Sequence, residues 1–84
     1  MRLKIIPHCQ RRMQMRGISR AAIEQVLWEH KRLGSQPSRD HPNRRVYIVD
    51  IHPKPLYVVT QPPIEDAAPE SEIVVITAYF KDDQ

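Results

Sequence analysis

Histidine and arginine side chains recur at intervals of four residues near the start of the chain. His8, Arg12 and Arg16 stand at this spacing, which places side chains along one ridge of an α-helix. An imidazole titrates near neutral pH and can give or take a proton, whereas a guanidinium keeps its charge and binds phosphate in a fork. The spacing therefore predicts a ridge suited to the chemistry of phosphate esters.

Metal-free cleavage of RNA is a reaction that such groups support. It needs a base for the 2′-OH proton, an acid for the leaving 5′-oxygen, and fixed positive charge on the phosphate in the transition state. Tyr79 adds a side chain that can stack on a base or donate a proton. We therefore expect His8 to act as base or acid, Arg12 and Arg16 to hold the phosphate, and Tyr79 to orient the base or ribose.

Other catalytic patterns are absent from the sequence. It contains no Gly-rich phosphate loop and no Ser nucleophile elbow, and the single Cys9 leaves no thiol pair. The four histidines fall at intervals that match no common zinc pattern; they are His8, His30, His41 and His52. We expect neither a metal nor a cofactor.

The chain is short and its charge is divided between its two halves. Its 84 residues suffice for one domain, spanning residues 1–84. No apolar run reaches the ~18–20 residues of a transmembrane helix, so we expect a cytoplasmic protein with no membrane partner. Residues 1–45 carry a net charge of +8 and residues 46–84 a net charge of −5. This division predicts a basic end that attracts nucleic acid.

Hydrophobic periodicity predicts an α+β fold with two loops. Gly17 is expected to end the first helix and Ser19 to cap the second. Residues 33–43 and 62–72 are loops by composition. The predicted elements are a strand at 1–6, helices at 8–16 and 20–32, and strands at 44–52, 56–61 and 73–80. We expect an antiparallel sheet with both helices packed on one face.

The last strand has two apolar faces in this prediction. Simple alternation assigns four residues to each face. One face carries Val74, Ile76, Ala78 and Phe80, and the other carries Ile73, Val75, Thr77 and Tyr79.

Two parts of the sequence resemble a known family. Residues 8–19, HCQRRMQMRGIS, and the periodic residues 22–27 resemble the opening of the domain-of-unknown-function family numbered 4258. Its pattern is roughly H-x3-R-M-x2-R-G-I-S followed by an apolar-periodic helix. Residues 56–59 and 73–79 are similar to its closing strands. The resemblance implies a RelE/ParE-like toxin fold, in which one strand and two helices precede three strands.

The same resemblance implies site residues and partners. His8, Arg12 and Arg16 match the family's helix motif, and Thr77 and Tyr79 match its final strand. The implied function is that of a toxin from a toxin–antitoxin pair, with RNA, free or bound to the ribosome, as substrate and an antitoxin as protein partner.

The sequence departs from the messenger-RNA-cleaving toxins in one respect. Those toxins rely on several lysines and arginines on the sheet strands, whereas after Arg45 only Lys54 and Lys81 flank the strands here. Two alternatives therefore stay open on the same fold. One is a non-catalytic inhibitor of a protein target, in which Trp28 matters more than His8. The other is an accessory domain without toxicity.

Overall fold

The chain forms five strands and two helices. A computed structural model describes residues 2–28, 34–51 and 54–81. In chain order the elements are β1 (Arg2–Ile5), α1 (Pro7–Arg16), α2 (Arg20–Trp28), β2 (Gly34–Pro37), β3 (Arg45–Ile51), β4 (Lys54–Gln61), a 3₁₀ turn (Ile64–Asp66) and β5 (Glu72–Phe80). The predicted α+β class is therefore correct.

The five strands form one mixed sheet in the order β1-β5-β4-β3-β2. The strands from β2 to β5 pair antiparallel, but β1 pairs parallel with β5, with Leu3 opposite Ile73. The prediction of a purely antiparallel sheet is wrong. Alternation of apolar and polar residues fixes which side chains share a face, but the pattern is the same for either strand direction.

One strand was absent from the predicted order. β2 lies within the predicted loop 33–43 and pairs with β3, with Ser35 opposite Tyr47. Its sequence, GSQP, has neither β-branched nor aromatic residues, so it resembles a loop by composition. Pairing with β3, rather than local propensity, makes this segment a strand.

The ends of the helices follow the predicted signals. Pro7 occupies the first turn of α1, and Gly17 ends it in the left-handed conformation with φ 69°. The Ser19 hydroxyl accepts a hydrogen bond from the Ala22 amide at 3.1 Å, as an N-cap does. α2 is described as far as Trp28, and predicted helix residues 29–32 lie outside the described residues.

Both helices pack on the same face of the sheet, which confirms that part of the prediction. Apolar side chains of α1 and α2 join those of four strands in one core. Its members include Cys9, Met13, Ile23, Leu27, Tyr47, Val49, Leu56, Val58, Ile73, Val75 and Ala78. Burial of such side chains away from water is the main stabilising contribution to a small domain.

A β-bulge in β5 reverses the predicted faces of that strand's second half. Val59 pairs with Thr77, whereas the next residue, Thr60, pairs with Val75, so Ile76 is the extra residue. An extra residue shifts the alternation by one. Ala78 therefore joins Ile73 and Val75 in the core, and the uniform faces predicted from the sequence are wrong. The opposite side of the sheet, here the outer face, carries Val46, Ile48, Tyr57, Val59, Thr77 and Tyr79.

A buried tyrosine fixes the acidic segment between β4 and β5. The Tyr47 hydroxyl donates to Glu65 Oε2 and accepts from the Ile64 amide, each at 2.7 Å. Tyr47 is fully buried, and its ring belongs to the core. One phenol thus anchors the 3₁₀ turn to the core and satisfies a buried backbone donor.

Replacing Gly17 with alanine should destabilise the protein by about 1–2 kcal/mol. No atom lies within 4 Å of an added Cβ, so the cost is that of the left-handed backbone alone. Urea unfolding gives the difference. Gly17→Asn is the matched control, because asparagine tolerates this conformation better. Alanine as stable as glycine would contradict this account of the helix end.

Tyr47→Phe should cost about 1–3 kcal/mol, because it keeps the ring but leaves the Ile64 amide without its buried acceptor. Glu65→Gln should cost less, since an amide oxygen can still accept from the phenol and the Glu65 residue is exposed. Urea unfolding of both variants checks the order. An equal cost would show that the carboxylate, rather than the amide, determines the effect.

Candidate nucleic-acid site

Helix α1 is fixed to strand β5 by an arginine. Arg16 Nη1 donates to the carbonyl oxygen of Ala78 at 2.8 Å, and Arg16 is half-buried. β1 ends opposite Val75, so the Ala78 carbonyl lies beyond the part of β5 that β1 covers. Arg16 therefore binds this stretch of β5 directly between Thr77 and Tyr79.

Cys9 lies at the same contact on the buried side of α1. It is fully buried. Burial raises the pKa of the Cys9 thiol, while the charge of Arg16 and a hydrogen bond with the Ala78 backbone oppose that rise. The thiol is thus neutral at physiological pH and packs as a small apolar group. The Cys9 thiol thus lies close to both Arg16 and the Ala78 backbone, the two groups that join α1 to β5.

His8 and Arg12 are exposed on α1. Neither makes a hydrogen bond or ion pair with another of the described residues. An α-helix turns by about 100° per residue, so a spacing of four rotates the side chains by about 40° each time. The ridge therefore winds from exposed His8 to half-buried Arg16, over about 12 Å of helix axis.

Thr77 and Tyr79 lie on the outer face, where Tyr79 meets Tyr57. Their rings stack with centroids 5.3 Å apart and an interplanar angle of 22°. Burial raises the pKa of the Tyr79 phenol, and Tyr57 adds to the rise. The phenol therefore stays protonated at neutral pH and remains a hydrogen-bond donor.

Two further outer-face residues were missed in the sequence. Tyr57 is the ring on which Tyr79 stacks, and Arg44 Nε donates to Gln61 Oε1 at 2.8 Å. Gln61 follows Val59 by two residues on β4, so this pair lies at the margin of the outer face. Antiparallel strands with a tyrosine on each could have suggested the stack, but the bulge that sets their register left no sequence signal.

The described part of the chain contains one side-chain ion pair, between Arg20 and Glu24 at 3.3 Å. Both side chains are about half exposed, so the pair contributes little to stability. Most of the remaining described cations, including Arg11 and Arg12, carry charge that no carboxylate within 4 Å neutralises. Exposed cations without a neighbouring carboxylate favour the binding of a polyanion.

Other kinds of site find no support in the same ranges. Residues 2–28, 34–51 and 54–81 hold no group of three His, Cys, Asp or Glu side chains placed to share a metal ion. Neither α1 nor α2 has the length and apolar character that crossing a bilayer requires.

The structure places the five predicted site residues on two neighbouring elements, α1 and β5. Arg16 bonds the Ala78 carbonyl of β5, whereas the side chains of Thr77 and Tyr79 lie on the outer face, where Tyr57 stacks on Tyr79. His8 and Arg12 are exposed on the helix that Arg16 fixes to β5. The outer face of the sheet thus offers a stacking surface and a neutral phenol, and α1, which packs on the opposite face, offers exposed cationic side chains.

Stability should fall as the pH rises through the alkaline range. Both the Cys9 and Tyr79 pKa values are raised by folding, so the folded protein keeps these protons to higher pH than the unfolded chain. Their contribution to the free energy of unfolding is complete below the pKa values of the unfolded chain, about 8.5 for Cys and about 10 for Tyr. It is lost as the pH rises above these values and through the raised pKa values of the folded protein.

Urea midpoints measured between pH 7 and 10.5 check this decline. The double variant Cys9→Ala/Tyr79→Phe should decline less steeply than the wild type, because both titrating groups are gone. Arg11→Ala, an exposed change, is the control. An unaltered slope in the double variant would refute the assignment.

Comparison with known proteins identifies the family. Residues 5–80 match the family described as Domain of unknown function (DUF4258). No curated protein and no solved structure matches the chain significantly. The match covers most of the chain, including α1 and the outer-face residues of β5, and the protein is therefore a member of the DUF4258 family.

Proposed function

We propose that this protein is a metal-independent endoribonuclease with a RelE/ParE-like fold and acts as the toxin of a toxin–antitoxin pair. The observation that supports this proposal most is the hydrogen bond from Arg16 to the Ala78 carbonyl. It holds a helix that bears a histidine and several arginines beside the strand that bears Thr77 and Tyr79. The proposed RNA chemistry uses both sets of groups, so the RNA crosses the edge of β5 from the α1 side to the outer face.

The proposed reaction is attack of the 2′-oxygen on the adjacent phosphorus. His8 takes the 2′-OH proton, the O2′–P bond forms, and the P–O5′ bond breaks. The leaving 5′-oxygen takes a proton from an acid, for which the neutral Tyr79 phenol is suited. The products are a 2′,3′-cyclic phosphate and a 5′-hydroxyl.

The two arginines have different roles in this proposal. Arg12 is exposed and holds the phosphate, whose charge grows in the transition state. Arg16 already binds the Ala78 carbonyl and is a positioning residue for α1. Thr77 lies two residues before Tyr79 on the outer face and contacts the ribose.

The outer face supports binding of single-stranded RNA. Stacked tyrosines offer a ring face to a base. Stacking of a base on an aromatic side chain is worth about 1–3 kcal/mol in proteins that bind single-stranded nucleic acid. Arg44 adds positive charge at the margin of this face, and the exposed arginines of α1 add positive charge on the other side of the sheet. Binding should therefore weaken steeply with salt.

His8→Ala should lower RNA cleavage by about 100-fold or more, because a general acid or base contributes 10²–10⁴-fold. The measurement is single-turnover cleavage of a labelled RNA in excess chelator, with and without ribosomes. The 3′ ends of the products should carry cyclic phosphate.

Arg12→Ala and Arg11→Ala form the matched pair. Both remove one exposed charge from α1, but only the first should lower the cleavage rate by about tenfold or more. Equal losses of cleavage rate in the two variants would show that Arg12 acts only through the net charge of α1. Absence of cleavage under every condition, or full activity of His8→Ala, would overturn the proposed function.

A second candidate is a non-catalytic inhibitor of a protein target. Trp28 favours it, because this large apolar residue is 41% exposed at the end of α2, and exposed tryptophans commonly anchor protein interfaces. Growth arrest without RNA breakdown, lost in Trp28→Ala and kept in His8→Ala, would support this candidate over the first.

A further inference from the structure

Strand β1 has an edge that no other described strand pairs. In the parallel ladder the amides of Arg2 and Ile6 bond to the β5 side, to Ser71 and Val75. Alternate residues of a strand direct their backbone groups to opposite edges. The N–H and C=O groups of Leu3 and Ile5 therefore point away from the sheet.

Two side chains cover half of these outward groups. Gln10 Nε2 donates to the Ile5 carbonyl at 2.9 Å, and an Arg20 nitrogen, Nη2, donates to the Leu3 carbonyl at 3.0 Å. The Leu3 and Ile5 amides donate to no other described residue. Side chains that protect an exposed edge in this way guard a protein against unwanted strand pairing.

A cleft lies directly beside this edge. It has a volume of about 310 Å³, with an apolar floor of Ile5, Met13 and Ile18 and polar walls of Gln10, Gln14 and Arg20. A volume of this size accepts one or two aliphatic side chains. Gln10 and Gln14 lie on the side of α1 opposite His8 and Arg12, by the helical rotation of 100° per residue.

Two cationic side chains lie on the other side of the β1 edge. Arg2 and Lys4 are exposed and share the outer side of the sheet with their β5 partners, whereas Leu3 and Ile5 face the core. An added strand would place alternate side chains against this basic pair and the others against the apolar cleft.

We propose that the β1 edge is a docking site for an extended segment of a partner protein in which acidic and apolar residues alternate. The partner's amides replace the Gln10 and Arg20 side chains on the two carbonyls, and its carbonyls accept from the Leu3 and Ile5 amides. Its acidic side chains lie beside Arg2 and Lys4, and its apolar ones enter the cleft.

A second copy of this chain is not the partner in this proposal. Two β1 edges would bring Arg2 and Lys4 against the same cations of the other copy, and like charges across strands are destabilising. The site also lies apart from His8 and Arg12, so it goes beyond the proposed ribonuclease function and does not depend on it.

Binding of a fluorescein-labelled peptide, Glu-Val-Glu-Val-Glu-Val, to the full chain tests the proposal by anisotropy. Lys4→Glu should weaken binding about tenfold or more, because the acidic side chains then meet a like charge. Lys81→Glu is the matched control, since it makes the same charge change at an exposed position beyond β5, and it should change affinity less than about twofold.

Three further measurements test the backbone pairing and the side chain that covers the Ile5 carbonyl. Two peptides are compared, one N-methylated at the Val amides and the other at the Glu amides. The peptide whose methylated amides face β1 should not bind, and the other should bind as the unmodified peptide does. Amide exchange at Leu3 and Ile5 should slow in the complex. Gln10→Ala should tighten binding about two- to tenfold, because the carbonyl is freed beforehand.

Three outcomes would overturn the proposal. They are absence of binding at millimolar peptide, equal binding by both N-methylated peptides, and equal losses in Lys4→Glu and Lys81→Glu. RNA cleavage by the same preparations separates this result from the proposed function, because a ribonuclease that ignores the peptide refutes only the docking site.

Discussion

The bulge in β5 is the constraint on which the rest of the structure depends. β5 pairs with β1 and β4 and packs against α1, so any change in its alternation affects both faces of the sheet. One extra residue at Ile76 lets Ile73 and Val75 share the core with Ala78. It leaves Thr77 and Tyr79 on the outer face, where Tyr79 stacks on Tyr57. Without it, Ala78 would face outward and Tyr79 would compete for space beneath α1.

Beyond the end of β1, the Arg16 side chain of α1 reaches the edge of β5 that a neighbouring strand would otherwise pair. The Ala78 backbone at this point bonds Arg16 rather than a neighbouring strand. This exchange satisfies the backbone with a charged donor, and it brings one guanidinium to the edge of β5, a strand without lysine or arginine of its own. The same helix bears Gln10 on its other side, over the β1 edge. α1 therefore separates two surfaces, one for the proposed RNA chemistry and one for an extended partner.

A single phenol fixes the acidic segment of the second half of the chain to the core. Tyr47 holds Glu65 and the backbone of Ile64, which fixes the acidic segment between β4 and β5 to the core. On α1, Arg11 and Arg12 are exposed and form no ion pair with another described residue, since the described ion pair joins Arg20 and Glu24. A domain with a thin core can keep such charge because surface cations remain hydrated and cost little to leave unpaired.

The sequence by itself determined the features that rest on local physics. Gly17 ends α1 because it tolerates the left-handed backbone, Ser19 caps α2, and the strands around Tyr47, Tyr57 and Tyr79 follow from their β-branched and aromatic runs. Tertiary structure alone decided three others. These are the parallel direction of β1, the formation of β2 from a loop-like segment, and the bulge that set the faces of β5. Each depends on hydrogen bonds between segments far apart in the chain. Periodicity within one segment contains no information on its partner, its direction or its register.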